Sequence, residues 1–287
     1  MLIHANAKIN WSLDITGRRE DGYHLMDMLM QPVSLYDEIT LEEAEDITLT
    51  CSGDPYLPPS EDHLAFRAAK ALQTAAKTDR GVSIHVCKHI PMGAGMGGGS
   101  ADAAGVLIGL NKLWKLGLSQ EELERIGLTL GADVPFCLRG GLQRTQGIGE
   151  IMTSPGTAPT VPLVVIQPCE GLSTGAIFKA YHTQEQISHP DTEAAAQQLV
   201  SLDLDALSAT LGNVMQTVSE GQRPAIGEAI LQLKENGAVF ALMTGSGSAV
   251  FGAFRSNEAA DIAFNKLSQL YSCCHRCISC AEPVVIL

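Results

Sequence analysis

Residues 91–104, PMGAGMGGGSADAA, constrain this chain more than any other stretch. Five glycines fall between positions 93 and 99, just before a run of helix formers. Glycine loses more backbone entropy on folding than any other residue, so such a run marks a path that side chains would block. The preceding GVSIHVCKHIP (81–91) alternates, with Val82, Ile84 and Val86 on one face, and reads as a strand ending at Pro91. The following ADAAGVLIGLNKLW (101–114) reads as a helix, with Ser100 its expected N-cap. The glycines therefore link a strand to the start of a helix.

Three phosphate-binding patterns compete for this link. Gly93, Gly95 and Gly98 satisfy G-x-G-x-x-G, but a dinucleotide fold also needs an acid about 20 positions on, at the end of a second strand. Glu121 and Glu122 stand there, in the first turn of a helix opened by the capping box Ser119 and Glu122. Gly93 and Gly98 have the spacing of a nucleoside-triphosphate P-loop, but Gly99 occupies the lysine position. What remains is a loop wrapping an anion at a helix N-terminus, where successive N–H groups and the helix dipole suit a polyphosphate. A close-packed turn without ligand is the plain alternative, and it needs fewer glycines.

Bulk properties narrow the field. A chain of 287 residues has room for two domains, and 45% hydrophobic with 18% charged residues reads as globular. A net charge of -13 argues against a nucleic-acid partner, which needs a positive stripe. It leaves open a small phosphate ligand held by backbone donors and a metal ion. No apolar run reaches the ~18–20 residues needed to cross a bilayer, so no membrane partner is expected. The N-terminus meets Lys8 and then GRRED, unlike a secretory signal. Cys51, Cys87, Cys137 and Cys169 are scattered as small core residues, which fits a reduced, cytoplasmic protein. CCHRCISC (273–280) places Cys274, Cys277 and Cys280 at a zinc-like spacing, but no second pair follows at the usual distance. No metal site is expected there.

Residues 1–50 read as short extended runs, and 63–77 has helical apolar spacing. TSPGTAPT (153–160) marks a boundary, giving domains 1–155 and 156–287. The second half reads as a strand (VPLVVIQP), helices between 191 and 236, a hairpin around Gly-Ser-Gly, a helix, and a last strand PVVIL. That order is α+β rather than repeated βαβ units.

Holding phosphate is not chemistry. Phosphoryl transfer also needs charge neutralisation on the moving group and a residue to orient and deprotonate the acceptor hydroxyl. AKINWSLDITGRREDGYH (7–24), the glycine-rich stretch (91–104) and MTGSGSAVF (243–251) supply candidates, and in order and spacing they resemble the three motifs of the GHMP small-molecule kinases. GRREDGYH together with GADVPF (131–136) resembles one branch, whose alcohol substrate carries a cytidine diphosphate and serves isoprenoid precursor synthesis.

The resemblance implies a two-domain GHMP kinase architecture, ribosomal S5-like and then ferredoxin-like. It implies ATP as co-substrate with Mg²⁺, seated on Pro91, Met92, Gly93, Ala94, Gly95, Met96, Gly97, Gly98, Gly99, Ser100 and Ala101. Lys8 and Asp133 fall on the catalytic positions, and Asn10 on a position near the acceptor alcohol. Tyr23 and His24 fall on the cytosine contacts, with Phe178 as the second aromatic of a base sandwich. A small-molecule partner and a monomer or homodimer complete the expectation.

The residue chemistry agrees. Asp133 lies between Gly-Ala and Val-Pro, where the proline argues against helix and for a rigid turn that presents a base. General-base action is worth about 10²–10⁴-fold. A lysine beside it keeps the carboxylate ionised. Singly, Lys8 and Asp133 also read as a surface lysine and a cap aspartate, and TGSGS as a plain hairpin turn. Asn6 replaces a common proline and Met96 a common leucine, with no functional group lost. Asp102 suits the helix dipole yet would repel a triphosphate; capping and Mg²⁺ binding are its two readings. Rival readings are another GHMP kinase, for a sugar, mevalonate or homoserine, and a silent ligand-binding relative. The first offers DGYH no base to stack on, and the second predicts loss of Lys8 or Asp133.

Overall fold

Two sheets, each backed by helices, carry out the α+β order. The structure is a computed structural model and describes residues 1–53, 60–181 and 188–287. The first part of the chain runs β1 (Leu2–Arg18), β2 (His24–Ala44), β3 (Ile47–Ser52), α1 (Leu64–Ala76), β4 (Gly81–Cys87), α2 (Gly98–Leu113), α3 (Gln120–Leu128), α4 (Val134–Arg139), β5 (Gln143–Gly147) and β6 (Ile151–Thr153). The rest runs β7 (Pro162–Ile166), α5 (Thr174–Tyr181), α6 (Thr192–Val200), α7 (Leu204–Thr210), α8 (Gln216–Gln222), α9 (Ala225–Glu235), β8 (Phe240–Met243), β9 (Val250–Ala253), α10 (Asn257–Leu267), β10 (Cys274–Ile278) and β11 (Val284–Ile286).

The larger sheet has the order β11-β1-β2-β4-β3, with β5 also on β2 and β6 on β5. The smaller is antiparallel in the order β10-β7-β9-β8. Counted from β7 that is 4-1-3-2, the ferredoxin-like order, with α9 against β8 and β9 and α10 against β7 and β10. The last strand leaves this sheet and pairs antiparallel with β1 in the larger one, Ile286 facing Ile3.

Residues 1–50, expected as short runs, form two long strands joined by a tip at residues 19–23. Their alternation is hidden because Asn6, Lys8, Asn10, Ser12 and Asp14 are all buried on β1. Register shifts between Asn6 and Lys8, and again between Asn10 and Ser12, bracket the segment that carries Lys8 and Asn10. Such bulges re-aim side chains next to sites.

Helix α2 is apolar on nearly every side and packs against β1, β2 and α1. A Cβ at Gly109 would lie 2.4 Å from Ile3 Cδ1 and 2.6 Å from Leu41 Cδ1, so glycine lets this helix approach the sheet closely. Ser100 does not cap it. The cap is Gly97 in the left-handed region (φ 71°), and Ser100 lies inside the first turn. A loop built from left-handed glycines delivers the chain to the helix without a side-chain cap. The capping box of α3 is present as expected, Glu122 N–H donating to Ser119 Oγ and Ser119 N–H to Glu122 Oε2.

His63 caps α1 by accepting the Ala65 N–H at Nδ1, so its ring is neutral with the proton on Nε2. Burial first, and the nearby Lys88 charge second, lower its pKa from 6.5 to about 4. The unfolded chain takes up a proton that the folded chain refuses. Stability is therefore full above about pH 6.5 and falls as pH drops toward 4. Between pH 7 and pH 5 the expected loss from this residue is about 2 kcal/mol. His63→Asn keeps a cap acceptor and should flatten that slope in urea melts at the two pH values; an unchanged slope would assign the acid sensitivity elsewhere.

Candidate active site

The glycine-rich loop solves the problem its sequence poses by alternation. Gly93, Gly95 and Gly97 are left-handed (φ 63°, 76° and 71°), while Ala94 and Met96 between them are not. Alternation of this kind turns successive N–H groups toward one concave side, an anion nest. The carbonyls turn the other way and are taken by the protein. Met92 O accepts from Gln167 Nε2 (2.9 Å), Ala94 O from Ala249 N–H (3.1 Å) and Met96 O from Lys8 N–H (3.0 Å). Among the described residues, none of the N–H groups from Gly93 to Ser100 donates to a protein acceptor. Gly98, Gly99 and Ser100 add the first-turn donors that every helix leaves open. The side chains of Ala94, Met96 and Ala101 are buried, so Ala94 and Met96 offer only backbone to the cavity along the loop.

Two further turns touch the loop backbone to backbone. A Cβ at Gly95 would lie 2.3 Å from Thr244 O, and one at Gly171 would lie 2.5 Å from Gly93 O. The Gly-Ser-Gly turn between β8 and β9 is held by Asn213, whose Nδ2 donates to Met243 O (2.9 Å) and Gly245 O (2.8 Å). TGSGS is thus both a hairpin turn and the wall of the loop.

Lys8 lies across this junction. Only 4% of it is exposed, and its methylenes run along Gly97, where a Cβ would lie 3.1 Å from Lys8 Cγ. Its Nζ donates to Asn10 Oδ1 at 2.7 Å and stands 3.5 Å from Asp133 Oδ2. The surface-lysine reading of Lys8 fails on burial. Asp133 corrects a second expectation: the proline after it opens a helix instead of preventing one. Asp133 is the N-cap residue of α4, with Pro135 in the first turn. Its carboxylate makes no cap hydrogen bond and is left to face Lys8.

Asn10 was expected at the acceptor, and it does line the same cleft. Its amide oxygen also accepts from Gly245 N–H (3.1 Å), and its backbone N–H donates to Thr244 Oγ1 (3.0 Å). Asn10 therefore joins Lys8 to the third motif, a link no sequence spacing suggests.

Lys8, Asn10, Tyr23, His24, Asp133 and Phe178 all line one cleft of about 610 Å³, with Gly95 and Gly97 at its glycine-rich end. A second cavity of about 350 Å³ lies along Pro91–Ser100. At the far end of the first, His24 stacks on Phe178, ring centroids 4.3 Å apart and planes 13° from parallel. A base between two rings needs about 7 Å, so none fits between these two as they stand. Tyr23 is 62% exposed beside them and offers its own face.

Asp102 does not cap the helix, although it borders the cavity along the loop. It is wholly buried and accepts from Lys88 Nζ at 2.7 Å, and Lys88 Nζ also donates to Asp37 Oδ2. Two carboxylates share one ammonium. Burial raises the Asp102 pKa to about 7, outweighing Lys88. Burial alone would lower that of Lys88, but the two carboxylates prevail and raise it. Sequence reading missed Asp37 and Lys88 as site-supporting residues. Only the position of Lys88, at the mouth of the loop, could have drawn attention to it.

Strand β10 projects successive side chains to opposite faces, and among the described residues no group of three or more His, Cys, Asp or Glu could hold a metal ion. Among them, too, no helix is long and apolar enough to cross a membrane.

Known proteins match this geometry. Residues 63–141 match the GHMP kinases N terminal domain, and 195–273 match the GHMP kinases C terminal domain. A 4-diphosphocytidyl-2-C-methyl-D-erythritol kinase of Alkaliphilus metalliredigens is 40% identical over 95% of this chain and 94% of its own length. One of Acetivibrio thermocellus is 38% identical over 92% of this chain and 94% of its own. A crystal structure of a 4-(cytidine 5'-diphospho)-2C-methyl-D-erythritol kinase superimposes with a TM-score of 0.83 at 33% identity, covering 97% of this chain and 99% of that one. A homoserine kinase from Cytophaga hutchinsonii shares the fold, with a TM-score of 0.77 at 16% identity over 100% of this chain and 97% of that one.

Proposed function

The chain belongs to the GHMP kinases, and from that premise we propose that it transfers the terminal phosphoryl group of ATP to the 2-hydroxyl of 4-diphosphocytidyl-2-C-methyl-D-erythritol. The observation that carries this reading is one cleft with an anion nest and a Lys8–Asp133 pair at one end and an aromatic cluster at the other. A kinase for a small sugar, mevalonate or homoserine would leave Tyr23, His24 and Phe178 without a base to bind. The homoserine kinase likeness is one of fold alone.

In the proposed mechanism the N–H groups of the loop hold the triphosphate. Asp133 takes the proton of the acceptor hydroxyl as its oxygen bonds to phosphorus, and the bond from phosphorus to the leaving ADP oxygen breaks. Lys8, between the loop and Asp133, pairs with that carboxylate and offsets charge on the moving group. Asn10 fixes the Lys8 ammonium. Mg²⁺ fits here as the triphosphate's companion. Ser100, which lines the cavity along the loop, would hold it through a hard hydroxyl oxygen. When bound it neutralises phosphate charge. Asp102 is tied to Lys88 instead.

At the other end, the base of the substrate stacks on Tyr23 and Phe178, with the His24 ring giving way to its edge. The domains are proposed as 1–155 and 156–287, with the reaction in a reduced cytoplasm and a monomer or homodimer as the unit.

The test is ATP turnover with and without the cytidylated alcohol; turnover with homoserine or mevalonate and none with the cytidylated alcohol would refute the assignment. Phe178→Ala should raise KM for that substrate about ten-fold or more, since stacking is worth about 1–3 kcal/mol per base, and leave KM for ATP unchanged. Equal KM values for wild type and variant would remove Phe178 from the base site.

A further inference from the structure

Lys88 lies close to where a nucleotide-binding lysine is wanted, yet its ammonium is engaged by the protein itself. Its ammonium sits beside Gly98, where a Cβ would lie 3.3 Å from Nζ, and both its described partners are carboxylates. Asp37, on β2, is wholly buried and receives the chain as it leaves β4. Its Oδ1 accepts from His89 N–H (2.6 Å) and Ile90 N–H (2.8 Å), and its Oδ2 from Lys88 Nζ. From the same ammonium a second hydrogen bond of 2.7 Å reaches Asp102, in the first turns of α2. Between these two carboxylates the chain makes its whole excursion through the glycine-rich loop. Entry and exit of the loop are thus fastened to each other through one buried cation.

We propose that Asp37, Lys88 and Asp102 form a clasp that holds the two ends of the glycine-rich loop at the spacing its nest requires, and so sets the enzyme's affinity for ATP. This inference rests on the reading of that loop as the triphosphate seat. Lys88 and Asp102 are positioning residues: they act through the backbone of residues 89–101 and not on the reacting atoms. The loop needs such a device. Its glycines have the freedom to leave the alternating conformation, and an arrangement held in advance binds more tightly than one ordered by the ligand. The other oxygen of Asp102 has no hydrogen-bond partner among the described residues. The Lys88 bond is therefore the link from that carboxylate to the loop's entry.

Asp102→Ala cuts the exit arm and leaves the Lys88–Asp37 pair intact, so no lone charge is buried. KM for ATP should rise ten-fold or more, while KM for the cytidylated alcohol, bound at the far end of the cleft, stays within two-fold. Asp102→Asn retains an acceptor for Lys88 but not the charge, and charge-assisted hydrogen bonds are about twice as strong as neutral ones. Its KM for ATP should lie between, at three-fold or more above wild type. A role confined to core stability would lower the melting temperature and leave both KM values alone, and that result overturns the clasp. Should Asp102→Ala not fold, Asp102→Asn decides alone, and a rise under three-fold overturns it. Wild-type protein that turns over no ATP would instead overturn the underlying assignment.

Discussion

Replacing Asp133 by asparagine is expected to lower kcat by about 10²–10⁴-fold while both KM values stay within about three-fold. Asparagine keeps the shape of the side chain and removes its basicity. The fold has little reason to object. Asp133 makes no side-chain cap bond that could be lost, and asparagine is as good an N-cap as aspartate. The ion pair with Lys8 is 3.5 Å long, and the Asp133 side chain is 35% exposed, so its contribution to stability is small. Loss of rate without loss of binding is the signature of an interaction made only in the transition state. Steady-state kinetics on folded variant, checked by circular dichroism, measure it. A kcat within ten-fold of wild type would take the proton-accepting role away from Asp133.

Gly95→Ala should damage both stability and nucleotide binding. The residue is left-handed (φ 76°), where a Cβ costs roughly 1–2 kcal/mol. That Cβ would also lie 2.3 Å from Thr244 O, 3.1 Å from Thr244 C and 3.2 Å from Gly247 N, all backbone. Backbone cannot rotate away, so the loop and the β8–β9 turn must separate. The separation reaches Asn10, which bonds both Thr244 and Lys8. A loss of about 2–4 kcal/mol is expected, lowering Tm by about 5–15 °C, with KM for ATP up ten-fold or more. Gly221→Ala is the control. It lies in α8 with nothing within 4 Å of its added Cβ and should be neutral or mildly stabilising. Equal melting temperatures for the two variants would mean that the loop and the turn move independently.

The contrast between these two residues shows what the sequence could reveal. Gly95 announced itself, because a glycine run between a strand and a helix has few other uses. The helices with clear periodicity and caps, such as α3, were equally legible. Asp133 was legible as a base candidate but not in its setting, since Val-Pro reads as a break while proline in a first turn is also a helix opener. The long β1 and β2 strands were obscured because the site itself breaks their alternation: Lys8, Asn10 and Asp37 are buried polar residues on them. Asp37 carried no local signal at all. Its partners lie at His89, Ile90 and Lys88, far along the chain, and their hydrogen bonds exist only once β2 and β4 are paired. The proposed phosphate seat is encoded by backbone conformation and can be read from composition. The polar ties that hold that backbone are encoded by tertiary pairing and cannot.

In the proposed mechanism one hairpin spans the whole reaction. Lys8 and Asn10 sit midway along β1, whereas Tyr23 and His24 sit where the tip between β1 and β2 ends, with Phe178 across from them on α5. On that reading, phosphorylating machinery and recognition of the alcohol's carrier are housed at separate addresses on a single ribbon. Redesign toward a different alcohol can be confined to residues 19–24 and the facing turn of α5, leaving the donor half unedited.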